Sequence, residues 1–355
     1  MKALVLAGGA GTRLRPITYT SAKQLVPLAN RPIIAYGLDA IAASGITEVG
    51  IIVNDPDSDI QSAIGDGSKF GIQATYIVQD APRGLAHAVL IARDFLGDDP
   101  FVMYLGDNVV IGGIAGFVDQ FCEGGMDALV LLTRVENPRQ FGVAAFNADG
   151  SLQYLVEKPK DPPSDMALVG VYLFDPKIHD AVRAIAPSAR GELEITDAIQ
   201  WLIDQGHTVR PHTLTTPWID TGKLQDLLEA NRIVLESVSA RVHGEVDAQS
   251  RIAGQVVIEP GATVIESSIR GPVVIGAGAR IERSYVGPFT SIADGCQIID
   301  SELEHSVLLE NVRVEGVARI TDSLIGRSAV VQRGSEQPKA IRMHIGDDSD
   351  VSVPF

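Results

Sequence analysis

The chain has 355 residues, of which 45% are hydrophobic and 21% charged, a globular composition long enough for two domains of about 100–200 residues each. Its formal net charge of −16 argues against a nucleic-acid groove as the main function, because a polyanion is repelled by most of such a surface. Cys122 and Cys296 offer neither a disulfide framework nor a zinc site, and no secretory core or apolar run of about 18 residues occurs, so a cytoplasmic protein without a membrane segment is expected.

Residues 3–7 read as a buried strand that runs into Gly8-Gly9-Ala10-Gly11-Thr12-Arg13-Leu14-Arg15-Pro16, with Lys23 shortly after. Glycines bring backbone N–H groups close to phosphate oxygens, while Arg13 and Lys23 add charge that amides lack. The simplest ligand for this combination is a nucleoside triphosphate. A Walker loop is excluded because no Gly-Lys-Ser/Thr closes the run, and Leu14 stands where a dinucleotide fingerprint has its third glycine. Residues 32–44 predict a helix, with proline in its first turn and Gly45 beyond its end. Further buried strands are expected at 49–53, 74–78, 101–105 and 128–133, with a second crossover helix at 85–95. This alternation implies a Rossmann-like α/β domain with a mixed, mostly parallel sheet, whose ligands sit beyond the carboxyl ends of the strands.

Polar groups gather at the predicted strand ends. Gln79 carries a donor and an acceptor suited to a base edge, and Gly84 exposes backbone beside it. His87 reads as structural, because an already ionised phosphate needs no proton removed. Asp107, just after strand 101–105, is either a turn-forming residue or a hard-metal ligand. Paired with Asp220 in Trp218-Ile219-Asp220-Thr221-Gly222, and completed by phosphate oxygens and water, it satisfies magnesium. Glu157-Lys158-Pro159 ends the strand at 152–156; as a fixed pair rather than solvated charge, Lys158 suits a sugar phosphate and Glu157 suits sugar hydroxyls. Gly142 is a strand bend or the close approach that a sugar ring requires.

The helix expected at 221–237 joins this half to one of different grammar. Ile258, Ile275, Ile292 and Leu309 recur every 17 residues, as do Val264, Ile281 and Ile298, and Ile269, Val286, Leu303 and Ile320. Such columns predict a hexapeptide-type left-handed parallel β-helix, with residues 342–345 and the tail beyond them as an end cap. The expected division is residues 1–240 for the α/β domain and 241–355 for the β-helix, packed together without a flexible linker.

In order, Gly8–Pro16, Lys23-Gln24-Leu25, Gln79 with Gly84-Leu85-Ala86, Leu105-Gly106-Asp107-Asn108, Glu157-Lys158-Pro159, residues 190–197 and residues 218–222 carry a resemblance. Over the first 235 residues the chain resembles the glucose-1-phosphate thymidylyltransferases, and with its β-helix the long form of that family. The resemblance implies transfer of a thymidylyl group from dTTP to α-D-glucose 1-phosphate, with Mg2+ on Asp107 and Asp220. It implies that Arg13 and Lys23 hold the triphosphate, with Gly8, Gly9, Gly11, Thr12 and Gln24 around the nucleotide, and that Gln79 and Gly84 read the pyrimidine. Gly142, Glu157 and Gly170 would contact glucose, and Lys158 and Arg190 its phosphate. Leu168 replaces the valine frequent in the family at another sugar contact. The implied partners are the two substrates and further copies of the chain, with no nucleic acid and no membrane. Rival readings are a uridylyltransferase or other sugar-1-phosphate nucleotidyltransferase, an added acetyltransferase using a solenoid histidine such as His305, and a non-catalytic regulatory subunit. The last would be expected to lose some of Arg13, Lys23, Asp107, Lys158 and Asp220, all of which are present.

Overall fold

The computed structural model describes residues 1–334, 349 and 351, except for 10, 12, 13, 16, 20, 21 and 223, and leaves the side chains of Leu224 and Gln225 undescribed. The end cap expected at 342–345 therefore lies outside the described residues. Contacts group the chain into two compact units, Met1–Ala10 with Ile33–Ile219, and Gly11–Pro32 with Asp220–Phe355.

The first unit is built on a nine-stranded mixed sheet. Along its main path the order is Leu152–Glu157, Gly142–Phe146, Met166–Phe174, Phe101–Leu105, Lys2–Leu6, Glu48–Val53 and Gln73–Val78. Ala128–Arg134 branches from Met166–Phe174 and carries Val209–Thr213. Lys2–Leu6 lies parallel to Glu48–Val53 and to Phe101–Leu105, and Glu48–Val53 lies parallel to Gln73–Val78. Antiparallel pairing enters at Met166–Phe174, which runs opposite to its three neighbours, and again between Gly142–Phe146 and Leu152–Glu157. All nine residues of that strand are buried, so both its faces are covered and its sequence is apolar without alternation. Ile33–Ala43 forms the first crossover helix. The second is two pieces, Leu85–Ile91 and Arg93–Leu96, interrupted at Ala92, whose φ of −83° and ψ of 2° leave the helical range.

The second unit contains the left-handed β-helix. Two six-stranded sheets and one four-stranded sheet, all parallel, make its three sides. Ile258 pairs with Ile275 and Ile275 with Ile292, as the 17-residue step predicts. The next partner of Ile292 is Leu308, not Leu309, and Ile298 pairs with Val314. One coil is thus a residue short, and its deletion falls between Leu303, which keeps the 17-residue step, and Leu308. One edge is tied by serines: the N–H of Ser267 donates to Ser250 Oγ, that of Ser284 to Ser267 Oγ and that of Ser301 to Ser284 Oγ, at 3.0–3.1 Å. Small hydroxyls therefore satisfy backbone donors that the turns would otherwise leave bare. Leu224–Glu236 is the helix preceding the solenoid, and among the described residues no helix is long and apolar enough to cross a membrane.

His179, 3% exposed in the core of the first unit, stacks on Phe101 with ring centroids 6.0 Å apart, and its Nε2 has no hydrogen-bond partner. Burial, aided by Arg93 and Arg183, pushes its pKa down to about 4. A histidine whose folded pKa is depressed supports the fold while neutral, and that support is lost as pH falls from about 6.5 through the folded value. At about 1.4 kcal/mol per unit the loss is on the order of 3 kcal/mol. His179→Phe keeps the stack without an ionisable ring, so urea unfolding at pH 7 and pH 4.5 should show a shallower pH dependence than the parent. Equal dependence in the two proteins contradicts this assignment.

Candidate active site

Parallel pairing brings the carboxyl ends of Lys2–Leu6, Glu48–Val53, Gln73–Val78 and Phe101–Leu105 to one edge of the first unit. Gly8, Asn54, Gln79 and Asp107 follow those four ends. A Cβ on Gly8 would lie 2.6 Å from Asn54 Oδ1 and 3.7 Å from Gln79 Oε1, so the bare backbone of Gly8 is what allows these groups to converge. Gln79 Nε2 donates to Gly84 O at 3.3 Å and meets His87 Nδ1 at 3.0 Å. An amide NH2 is donor only, which makes Nδ1 the acceptor and the imidazole neutral. Burial first, then Arg83, lowers the His87 pKa and keeps it so. With its amide nitrogen engaged in this way, Gln79 turns its oxygen toward Gly8. His87 is thus a positioning residue for Gln79.

The Gln79–Gly84 loop is tied to the segment that carries Arg190. Leu193 N donates to Arg83 O at 2.8 Å and Ala86 N to Leu193 O at 3.1 Å. Gly84 has a φ of +98°, and a Cβ there would stand 2.4 Å from Leu193 O.

At the end of Phe101–Leu105, Trp218 Nε1 donates to Asn108 Oδ1 at 2.6 Å, and Asn108 Nδ2 donates to Asp107 Oδ1 at 2.8 Å. An indole can only donate, which fixes the orientation of the Asn108 amide and points its NH2 at the carboxylate. Gly170 is required nearby, because a Cβ there would meet Leu105 Cγ at 2.7 Å and Asn108 Oδ1 at 2.8 Å. Asp107 is half-buried in the first unit, and Asp220 is half-buried in the second. Among the described residues no group of three or more His, Cys, Asp or Glu side chains is placed to hold a metal. Each carboxylate is of the kind that a hard cation takes alongside phosphate oxygens and water.

Around Gly142, an added Cβ would meet Leu168 Cδ1 and Thr196 Cγ2 at 2.7 Å and Glu157 Oε2 at 3.2 Å. Gly142 and Glu157 are also direct partners across their strands. Gly142, Glu157 and Leu168 therefore line one small region. Lys158, with a φ of 42°, places Nζ 3.5 Å from Glu157 Oε1, and Arg190 lies 3.9 Å from the same oxygen. Arg190 also reaches Glu192 at 2.6 Å and Glu194 at 3.2 Å. Burial, more than any partner, raises the Glu157 pKa; Lys158 and Arg190 oppose that shift, while Glu194 adds to it.

In the second unit, Lys23–Leu25 is a short 3-10 helix, with Lys23 and Gln24 buried. Gly11, at φ +61°, sits against it, since a Cβ there would be 2.9 Å from Lys23 Cβ, and Thr18 Oγ1 donates to Gly11 O at 2.7 Å. Gln24 Oε1 has no hydrogen-bond partner. Arg13 and Thr12 lie outside the described residues. Gly9, next to Gly8, is exposed. In the solenoid, His305 Nδ1 is 2.6 Å from Asp322 Oδ1, a lateral tie between coils. Asn54, the relay through Asn108, and Glu194 carry no strong local signal in the sequence, although Asn108 adjoins Asp107 and Glu194 lies four residues after Arg190 in the motif at 190–197.

An open α/β sheet with a glycine-crowded strand edge and carboxylates at strand ends, followed in sequence by a hexapeptide solenoid, defines the class of a nucleotide-transferring enzyme. The Nucleotidyl transferase family matches residues 2–237, and the GlmU-like C-terminal hexapeptide family matches residues 289–353. A glucose-1-phosphate thymidylyltransferase of Streptomyces griseus is 56% identical over 353 residues, covering 99% of each chain. One from Streptomyces antibioticus is 55% identical, again over 99% of both. A solved structure from Bacillus anthracis, assigned as a glucose-1-phosphate thymidylyltransferase and in complex with a sucrose, is 37% identical. It superposes with a TM-score of 0.62 over 66% of this chain and 94% of its own. The chain belongs to the glucose-1-phosphate thymidylyltransferase family of nucleotidyltransferases.

Because the contact at Gly84 is with backbone and its φ is positive, Gly84→Ala has no inexpensive relaxation. The variant should lose at least about 2 kcal/mol of stability, read from chemical unfolding midpoints. A loss below a few tenths of a kcal/mol would show that the loop moves freely.

Proposed function

We propose that the protein transfers the thymidylyl group of dTTP to α-D-glucose 1-phosphate, forming dTDP-glucose and pyrophosphate. The observation that carries this reading is identity above half, over essentially the whole length, to enzymes of that name. The strand-edge convergence of Gly8, Gln79 and Asp107 supports it.

In this reading Arg13 and Lys23 hold the triphosphate, with Gly8, Gly9, Gly11, Thr12 and Gln24 around the nucleotide. Gln79, oriented by His87, presents an acceptor to the pyrimidine N3–H, and Gly84 contributes backbone. Gly142, Glu157, Leu168 and Gly170 receive the glucose, and Lys158 and Arg190 its phosphate. A sugar-phosphate oxygen attacks the α-phosphorus in line, the bond to the β-phosphate oxygen breaks, and pyrophosphate leaves without a covalent enzyme intermediate. Catalysis is positioning and charge neutralisation. The family works with a divalent metal; we assign it as magnesium on Asp107 and Asp220, where it supplies positive charge to the phosphates. Residues 1–240 then form the catalytic domain and residues 241–355 an assembly or regulatory surface, in a cytoplasmic homo-oligomer whose partners are its two substrates.

Product formation measured with dTTP, dUTP and UTP against glucose 1-phosphate and other sugar 1-phosphates tests the pairing. The highest kcat/KM is expected for dTTP with glucose 1-phosphate. The dTTP-to-dUTP difference isolates one methyl group, worth about 1–3 kcal/mol at most. Preference for a uridine nucleotide overturns the assignment. Asp107→Asn should remove most turnover while leaving the unfolding transition in place, and near-normal activity with magnesium contradicts the metal role.

Burial raises the Glu157 pKa, so the folded protein binds this proton more tightly than the unfolded chain does. Ionising this carboxylate in the fold therefore costs stability, and that cost fades as pH falls. Glu157→Gln should unfold at a higher temperature than the parent at pH 7, with the gain shrinking in acid. Its KM for glucose 1-phosphate should rise about tenfold for the lost charged acceptor, with the KM for dTTP unchanged. A lower unfolding temperature at pH 7, or an unchanged sugar-phosphate KM, contradicts these roles.

A further inference from the structure

Two residues after the Lys23–Leu25 turn, the chain forms a hairpin within the second unit, pairing Pro27 with Pro32 and Leu28 with Arg31. Its two turn residues, Ala29 and Asn30, both have positive φ, 47° and 62°, as a type I′ turn requires. That turn is seated on the solenoid and on the helix Leu224–Glu236. Asn231, 1% exposed, accepts through Oδ1 from Ala29 N and from Ser291 Oγ, each at 2.8 Å, and donates through Nδ2 to Phe289 O at 3.4 Å. Asn30 Nδ2 donates to Ile292 O at 2.6 Å. Apolar contacts complete the seat: Ala29, Val238 and Phe289 pack against Leu235, Val257 and Val274.

We propose that Asn231 is a positioning residue for nucleotide binding, and that the β-helix, through Ser291, Phe289 and Ile292, is the footing on which the Lys23–Gln24 turn is held. The inference rests on the reading that Lys23 and Gln24 contact the nucleotide. Buried Gln24, with an unpartnered Oε1, has no local bond to hold that atom in place, so its direction depends on how the backbone is placed. The short hairpin transmits that placement, and one side chain ties the hairpin, the helix and the solenoid together. A β-helix serving only for assembly has no need of a fully buried amide aimed at the turn of a nucleotide loop.

The test uses the full-length protein, with the Kd of dTTP from calorimetry and the KM of glucose 1-phosphate read separately. Asn231→Leu, matched in size but without polar atoms, should weaken dTTP binding about tenfold and leave the sugar-phosphate KM within twofold. Asn231→Asp keeps the acceptor oxygen for Ala29 and Ser291 and should restore dTTP binding to within about threefold of the parent. Ser291→Ala, a milder change that keeps the fold if Asn231→Leu does not, should weaken dTTP about threefold. Lys23→Ala serves as the reference. If it leaves the dTTP Kd unchanged, the reading of Lys23 fails. If it weakens binding while Asn231→Leu, or Ser291→Ala where the former does not fold, leaves the Kd at the parental value, the positioning inference fails. Equal losses in dTTP and sugar-phosphate binding, or a lower unfolding temperature with both unchanged, also overturn it.

Discussion

Parallel register among Lys2–Leu6, Glu48–Val53, Gln73–Val78 and Phe101–Leu105 delivers four chain ends to one edge, and the polar groups of the first unit gather where that register puts them. The strands themselves are held by burial: Leu4, Val5, Ile51 and Phe101 are fully enclosed, and a one-residue slip would exchange the side chains packed against the two covered faces and break both packings. Fixing the strands fixes the loops at their ends. Crowding follows, and it decides residue identity. Gly8 has Asn54 at its back, and Gly170 has Leu105 and Asn108. The glycines at this edge are best understood as clearances that let side-chain oxygens come together, with the flexibility of the loop a secondary matter.

Electrostatics in an acidic chain work by local pairing. Arg190 is surrounded by Glu157, Glu192 and Glu194, so its charge is largely matched before any anion arrives. That arrangement fixes the guanidinium in a defined plane, which suits bidentate phosphate recognition, but weakens its pull at a distance. Lys158 is more exposed and has Glu157 as its neighbour. In the proposed reading the two cations are suited to different tasks, Lys158 to drawing an anion in and Arg190 to setting its orientation. Glu157 sits between them partly buried, and its raised pKa is the signature of a carboxylate kept in place for its contacts at the expense of stability.

Short apolar runs closed by glycine or polar residues are the feature most readily read from the sequence, and they placed the parallel strands correctly. Met166–Phe174 escaped for a physical reason: covered on both faces and interrupted by Gly170, it shows neither alternation nor strand propensity throughout. The slip from Leu309 to Leu308 escaped because both are leucines, so a column of aliphatic residues looks continuous across a coil one residue short. Strand ends pointed to Gln79, Asp107 and Glu157. Their supports, His87, Asn108 and Thr196, whose hydroxyl donates to Glu157 Oε2 at 3.5 Å, depend on which neighbours the tertiary fold supplies, and local pattern does not carry that information.

Asn231 was legible in principle. Leu227, Ala230, Val234 and Leu235 form the buried stripe of the helix Leu224–Glu236, and Asn231 stands within it at less than 2% exposure. A buried amide in such a stripe costs stability unless every polar atom is met, and here the oxygen is met twice and the nitrogen once. Ala29 makes the same point from the other side. A left-handed alanine costs about 1–2 kcal/mol relative to glycine, yet its methyl group is what packs against Leu235, Val257 and Val274. Glycine at 29 relieves the strain and loses that anchor. Leucine at 231 extends the apolar stripe and leaves the Ala29 N–H without its acceptor. Both residues, each poor by local propensity, are held where they are by the same requirement, a hairpin turn fixed to the solenoid.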